Sequence, residues 1–85
     1  MTESSRERVA EMKKSADRYE GRGDRLQRSD PERAQYCYSW ASRLNSYLAG
    51  KESTDTTYRM KQKRRIDEKA ERVRRRQELF GGEKR

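Results

Sequence analysis

The sequence predicts an all-α protein of about three helices, arranged as a small helical bundle or an elongated helical hairpin with a third, basic helix laid across it. Three observations predict it. Apolar residues recur at helical spacing in three separate stretches. Helix-start residues stand before each of those stretches, and glycines close the second and third. No stretch alternates apolar and polar residues over a useful length, and β-branched residues are few, so strands have nothing to form from.

The first helix is expected near residues 4–28. Ser4-Ser5-Arg6-Glu7 reads as a capping box, in which a hydroxyl and a carboxylate satisfy free amides of the first turn. Val9, Met12, Ala16, Tyr19, Gly23 and Leu26 follow at spacings of 3, 4, 3, 4 and 3, a narrow stripe of heptad type. Gly21 and Gly23 each weaken a helix by about 1 kcal/mol, so the helix is expected to end or bend there, or to use Gly23 for close approach of a neighbour.

The second helix is expected near 31–49. Asp30-Pro31-Glu32 is a helix start in which Asp caps, Pro takes the first position and Glu faces the positive end of the dipole. Ala34, Cys37, Ala41, Leu44 and Leu48 form its stripe. Tyr36, Trp40 and Tyr47 widen that face on one side and Tyr38 lies on the other. The aromatic residues read first as core, with Trp40 and Leu44 central. Their number also fits a platform on which nucleic-acid bases stack. Gly50 is the expected terminator.

The third helix is expected near 54–80, with caps among Ser53, Thr54 and Asp55 and a stop at Gly81-Gly82. Ile66, Ala70, Val73, Gln77 and Phe80 make its stripe. Lys61, Arg65, Lys69, Arg72 and Arg76 fall within an arc of about 80° at 100° per residue, and Arg64 and Arg75 border it.

Charge separates these segments. Residues 1–30 hold eight basic and seven acidic side chains, residues 31–58 three of each, and residues 59–85 twelve basic against five acidic. Most of the net charge of +8 therefore lies in the last third. Like charges on adjacent turns repel, so such an excess is poorly explained by solvation alone. The chain is read as one domain over 1–85, with packing helices in 1–50 and a basic amphipathic helix over 54–80 that makes contacts.

Composition narrows the function classes. Charged residues make up 45 % of the 85, and Val, Ile, Leu and Phe number only eight. Such a chain cannot enclose a deep active site, and its sparse core predicts a marginal monomer completed by self-association or a partner. No apolar run approaches the ~20 residues of a membrane span. With one cysteine and no histidine there is no zinc set and no nucleophile–imidazole pair. No enzyme activity, catalytic residue, metal or cofactor is expected, and the reading is of a cytoplasmic, reduced protein. Cys37, on a seam of small residues, is expected to be a buried structural thiol. Arg22-Gly23-Asp24 resembles an integrin-recognition tripeptide, which acts from an exposed loop of a secreted protein.

The remaining signal is Lys61, Arg64, Arg65, Lys69, Arg72, Arg75 and Arg76. Guanidinium favours bidentate phosphate contact, and two clusters about ten residues apart lie ~15 Å apart on a helix. This composition resembles the arginine-rich helices with which some phage antitermination proteins grip RNA. The expectation is a non-catalytic protein that binds nucleic acid, DNA or RNA, through these side chains. The alternative is a small adaptor or inhibitor, of the kind phages and mobile elements encode, that docks on a nucleic-acid-processing enzyme or another protein by the same helix, with Tyr38, Tyr58, Met60 or Leu79 as an exposed apolar patch beside it.

Overall fold

A computed structural model describes residues 3–51 and 56–83, with side chains over 6–50 and 56–79. It is all-α: α1 spans Glu3–Leu26, α2 Pro31–Lys51 and α3 Thr56–Glu83. The molecule is an elongated three-helix layer, 55 × 20 × 14 Å. α2 lies between the other two and packs along both. Successive helices run antiparallel, since Gly23 meets Tyr38 across α1–α2, and Gln35 meets Gln77 while Asn45 meets Arg59 across α2–α3. α1 and α3 are therefore parallel.

The start of α2 forms as its residues dictate. The Arg33 amide donates to Asp30 Oδ1 at 3.2 Å and the Ala34 amide to the Asp30 carbonyl at 2.9 Å. The Asp30 amide in turn donates to the Leu26 carbonyl at 2.8 Å, so one residue closes α1 and opens α2.

Other boundaries depart from expectation. α1 already includes Ser4; its unbroken run through Gly21 and Gly23 is the alternative in which Gly23 serves close approach. α2 includes Gly50, and α3 continues through Gly81 and Gly82 to Glu83. A glycine stops a helix by taking the left-handed conformation, and no described residue has a positive φ. The caps expected at Ser53, Thr54 and Asp55, and the Phe80 side chain, lie outside the described residues.

The three stripes do face inward. Ala16 on α1, Ala34, Cys37, Ala41 and Leu48 on α2, and Ile66 and Val73 on α3 are buried. The centre differs from expectation. Tyr38 is wholly buried with Ala34, Ala41, Ile66 and Val73, whereas Leu44 is half-buried and Trp40 remains 37 % exposed. Tyr38 lies off the apolar seam of the sequence, but α2 is contacted on two sides. α1 and α3 between them cover a wider arc than one stripe, and position 38 points into the middle of it.

Gly23 makes that placement feasible. A β-carbon there would stand 2.7 and 2.8 Å from two carbons of the Tyr38 ring. Glycine lets α2 lay the ring against the α1 backbone. Expected outcome: Gly21→Ala raises stability by about 0.5–1 kcal/mol through helix propensity. Gly23→Ala lowers it by about 1–3 kcal/mol through overpacking. Thermal and urea unfolding of the two variants checks the opposite signs, and equal effects would contradict the close approach.

Candidate functional site

The α3 cations fall into two groups. Arg65 and Lys69 turn towards α1. Arg65 bonds Glu20 through both terminal nitrogens, Nη2 reaching Oε1 at 3.0 Å, and also bonds Gln62. Lys69 Nζ lies 2.8 Å from Glu20 Oε2 and 3.0 Å from Asp24 Oδ1. Asp24 Oδ1 also accepts the Tyr38 hydroxyl at 2.6 Å. A phenol, two carboxylates, an ammonium and a guanidinium thus join all three helices on one edge of the core.

Burial opposes ionisation of Glu20, but hydrogen bonds from Arg65 and Lys69, with their charges, hold its carboxyl below the ordinary value of 4.5. Burial likewise opposes ionisation of Asp24, and the bonds from Tyr38 and Lys69 outweigh it, placing Asp24 below 3.8. Burial first, and the bond to Asp24 second, push the Tyr38 phenol well above the usual range, so it remains a donor. Arg65 is held charged chiefly by its bond to Glu20.

Lys61, Arg64, Arg72, Arg75 and Arg76 stand on the outward side of α3 and are exposed. Arg75 Nε contacts Glu71 Oε1 at 3.2 Å, and Arg74 also bonds Glu71. Lys63 pairs with Asp67 at 2.7 Å. Lys61, Arg64, Arg72 and Arg76 form no ion pair among the described residues. Of the seven basic residues read from the sequence, these four are exposed, Arg75 shares its charge with Glu71, and Arg65 and Lys69 are bound up within the fold. The wheel placed Arg65 and Lys69 correctly on one side of α3, but that side borders α1, whose charges a single-helix projection omits.

Exposed apolar side chains accompany the free cations: Tyr58, Met60 and Leu79, the last 70 % exposed. Tyr38 leaves that expected patch for the core. The integrin-like tripeptide lies inside α1 with Gly23 buried and Asp24 engaged, so it is no exposed loop. Cys37 is buried and free, as expected of a structural thiol.

Sequence reasoning missed a second cationic surface, on α2 and the adjoining edge of α1. Arg33, Tyr36, Trp40, Arg43 and Tyr47 are exposed at spacings of 3, 4, 3 and 4. Tyr19 stacks on Trp40 with centroids 6.3 Å apart, Tyr36 meets Trp40 edge-on at 6.4 Å, and the Arg43 guanidinium lies 5.6 Å from the Trp40 centroid. The alternation of arginine with aromatics at helical period, almost without acids, was the available signal. The aromatic residues alone suggest a core or a stacking platform; what they do not show without the fold is that Arg33 and Arg43 stand among them on one exposed face.

Among the described residues no cluster of three or more histidine, cysteine or acidic side chains could hold a metal, and no helix is long and apolar enough to cross a membrane. The chain matches no family model, no curated protein and no solved structure.

The depressed carboxyls give a signed pH dependence. The unfolded chain takes up protons first as pH falls, so the contribution of Glu20 and Asp24 is present above about pH 4.5 and lost below it, through the folded values. Expected outcome: the melting temperature holds level from about pH 7 to 5 and then drops. Glu20→Gln lowers it at neutral pH and flattens the acid limb. Melting curves across this range check it, and a Glu20→Gln curve parallel to the parent would contradict the assignment.

Proposed function

We propose that the protein is a non-catalytic nucleic-acid-binding protein that meets phosphates with the outward face of α3. The observation carrying this reading is that Lys61, Arg64, Arg72 and Arg76 stay exposed and without an ion pair among the described residues, while Lys63, Arg65, Lys69, Arg74 and Arg75 on the same helix are paired. They extend along ~22 Å of helix, the length over which a nucleic-acid backbone offers several phosphates. Helical rigidity holds them in register, and three guanidiniums among four groups favour bidentate phosphate contact over simple solvation. Glu68 stands within this face and limits how closely phosphates approach at its middle.

A second reading is favoured by Tyr58, Met60 and Leu79, which are exposed beside the cations. An adaptor or inhibitor would use them as an apolar centre with the arginines as a charged rim against an acidic protein, such as a nucleic-acid-processing enzyme.

Binding to duplex DNA and to RNA across a salt series tests the first reading. With about four phosphates neutralised on a duplex, log K falls against log salt with a slope near −3.6. Arg72→Ala reduces that slope by about one, weakens all sequences alike and leaves melting unchanged. Arg65→Ala does the reverse, lowering the melting temperature with little change in slope. The protein-partner reading replaces the first if Arg72→Ala weakens a protein complex for which free nucleic acid does not compete.

A further inference from the structure

A shallow hollow of about 550 Å³ opens between α1 and α2, within the size range of small-ligand sites. Tyr19, Leu26 and Tyr36 provide its apolar surface, and Arg22, Arg25 and Arg33 stand around it. No carboxylate lines it. Arg22 and Arg25 form no ion pair among the described residues, and Arg33 only touches Asp30 at 4.0 Å. Glu20 and Asp24 are two positions from Arg22, hence about 160° away around α1, and their charge is spent on Lys69 and Arg65. The terminal nitrogen of Arg25 lies 3.8 Å from where a Gly21 β-carbon would be, so its guanidinium folds back along α1 beside a residue with no side chain. The aromatic surface continues along α2. Tyr36 is 60 % exposed, and Trp40 beyond it is held by Tyr19 and Arg43.

Two unpaired guanidiniums, and a third held only loosely by Asp30, stand around an exposed ring and call for an anion that carries a flat apolar group. A second copy of the chain fits poorly. A twofold contact through this face would set Arg33 and Arg43 against their own kind, and Glu32 is the one acidic residue among the described residues of α2. A duplex fits poorly as well, because its bases are stacked inside and present no ring face. A single strand offers both unstacked bases and phosphates.

We infer that this hollow binds single-stranded nucleic acid, with a base stacked on Tyr36 and the adjacent phosphates held by Arg22, Arg25 and Arg33. This rests on the nucleic-acid reading above but uses a different surface from α3. The strand runs from the hollow along α2 past Trp40 towards Arg43.

Trp40 is the single tryptophan and reports on the site directly. The full chain is titrated with short oligothymidylate, oligouridylate and a duplex of mixed sequence, following Trp40 emission and, separately, anisotropy of labelled strands. Single strands are expected to change Trp40 emission saturably. Tyr36→Ala is expected to weaken them about tenfold, as loss of one stacked base does, while duplex affinity stays within about twofold. Arg64→Ala with Arg72→Ala is expected to weaken the duplex and leave the Trp40 response to single strands. Circular dichroism verifies folding. Should Tyr36→Ala unfold, Arg22→Glu with Arg25→Glu, at two exposed positions, takes its place and is expected to abolish single-strand binding. Single-strand affinity unchanged in the folded variants overturns the inference while leaving the α3 reading in place. A concentration-dependent dimer in sedimentation that shields Trp40 from oligonucleotide also overturns it, in favour of a second copy. Failure of the parent chain to bind any of the three probes overturns both readings.

Discussion

Tyr38 is the side chain on which the three helices converge. Its ring lies on the backbone of α1 where Gly23 leaves room, its edge packs among Ala34, Ala41, Ile66 and Val73, and its hydroxyl donates to Asp24. A buried phenol without an acceptor costs about 1–3 kcal/mol, so the hydroxyl needs Asp24. The Asp24 carboxylate is in turn compensated by Lys69 from α3. The position of one ring therefore fixes the spacing of α1 and α2 and, through the carboxylate, the approach of α3. The large aliphatics are too few to fix those distances by packing alone.

The same scarcity explains why polar pairs recur along the α2 interfaces. Gln35 bonds Gln77 near one end of the α2–α3 contact. At the other end the Arg59 guanidinium is buried and bonds Asn45 Oδ1 at 3.1 Å, while Asn45 Nδ2 donates to the Ala41 carbonyl at 2.8 Å. Thr56 donates to the carbonyl of Ala49 at the C-terminal end of α2. Among the described residues Arg59 Nε is buried without a hydrogen-bond partner, a local cost that the cation's contact with the Tyr58 ring offsets in part. Small residues on α2 bring the backbones close, and directional hydrogen bonds supply the register that interlocking aliphatic side chains give elsewhere.

Charge is sorted by the same packing. Glu20 and Asp24 neutralise the inner edge of α3, and Glu71 and Asp67 neutralise part of its far edge, leaving one outward row of cations. On the opposite edge of α1 and across α2, arginines stand among aromatics with few acids nearby. Two cationic surfaces of different character result: a row of exposed cations on α3, and a face on α1 and α2 where arginines alternate with aromatic rings.

The sequence by itself determined the helix count, the start of α2 at Asp30-Pro31, and which stripe of each helix turns inward at Ala16, Ala34, Ala41, Ile66 and Val73. Each follows from local chemistry or from the period of one helix, both readable from neighbours in the chain. The tertiary structure decided which helix sides are covered twice and which are left bare. It moved Tyr38 into the centre and Trp40 towards solvent, because α2 is sandwiched over an arc that no single stripe reveals. It withdrew Arg65 and Lys69 from the basic face, because their partners Glu20 and Asp24 lie more than forty residues away and meet them only when α2 holds α1 and α3 parallel on its two sides. It carried the helices through Gly23, Gly50, Gly81 and Gly82, because a glycine ends a helix only when the chain turns left-handed there, and here it does not.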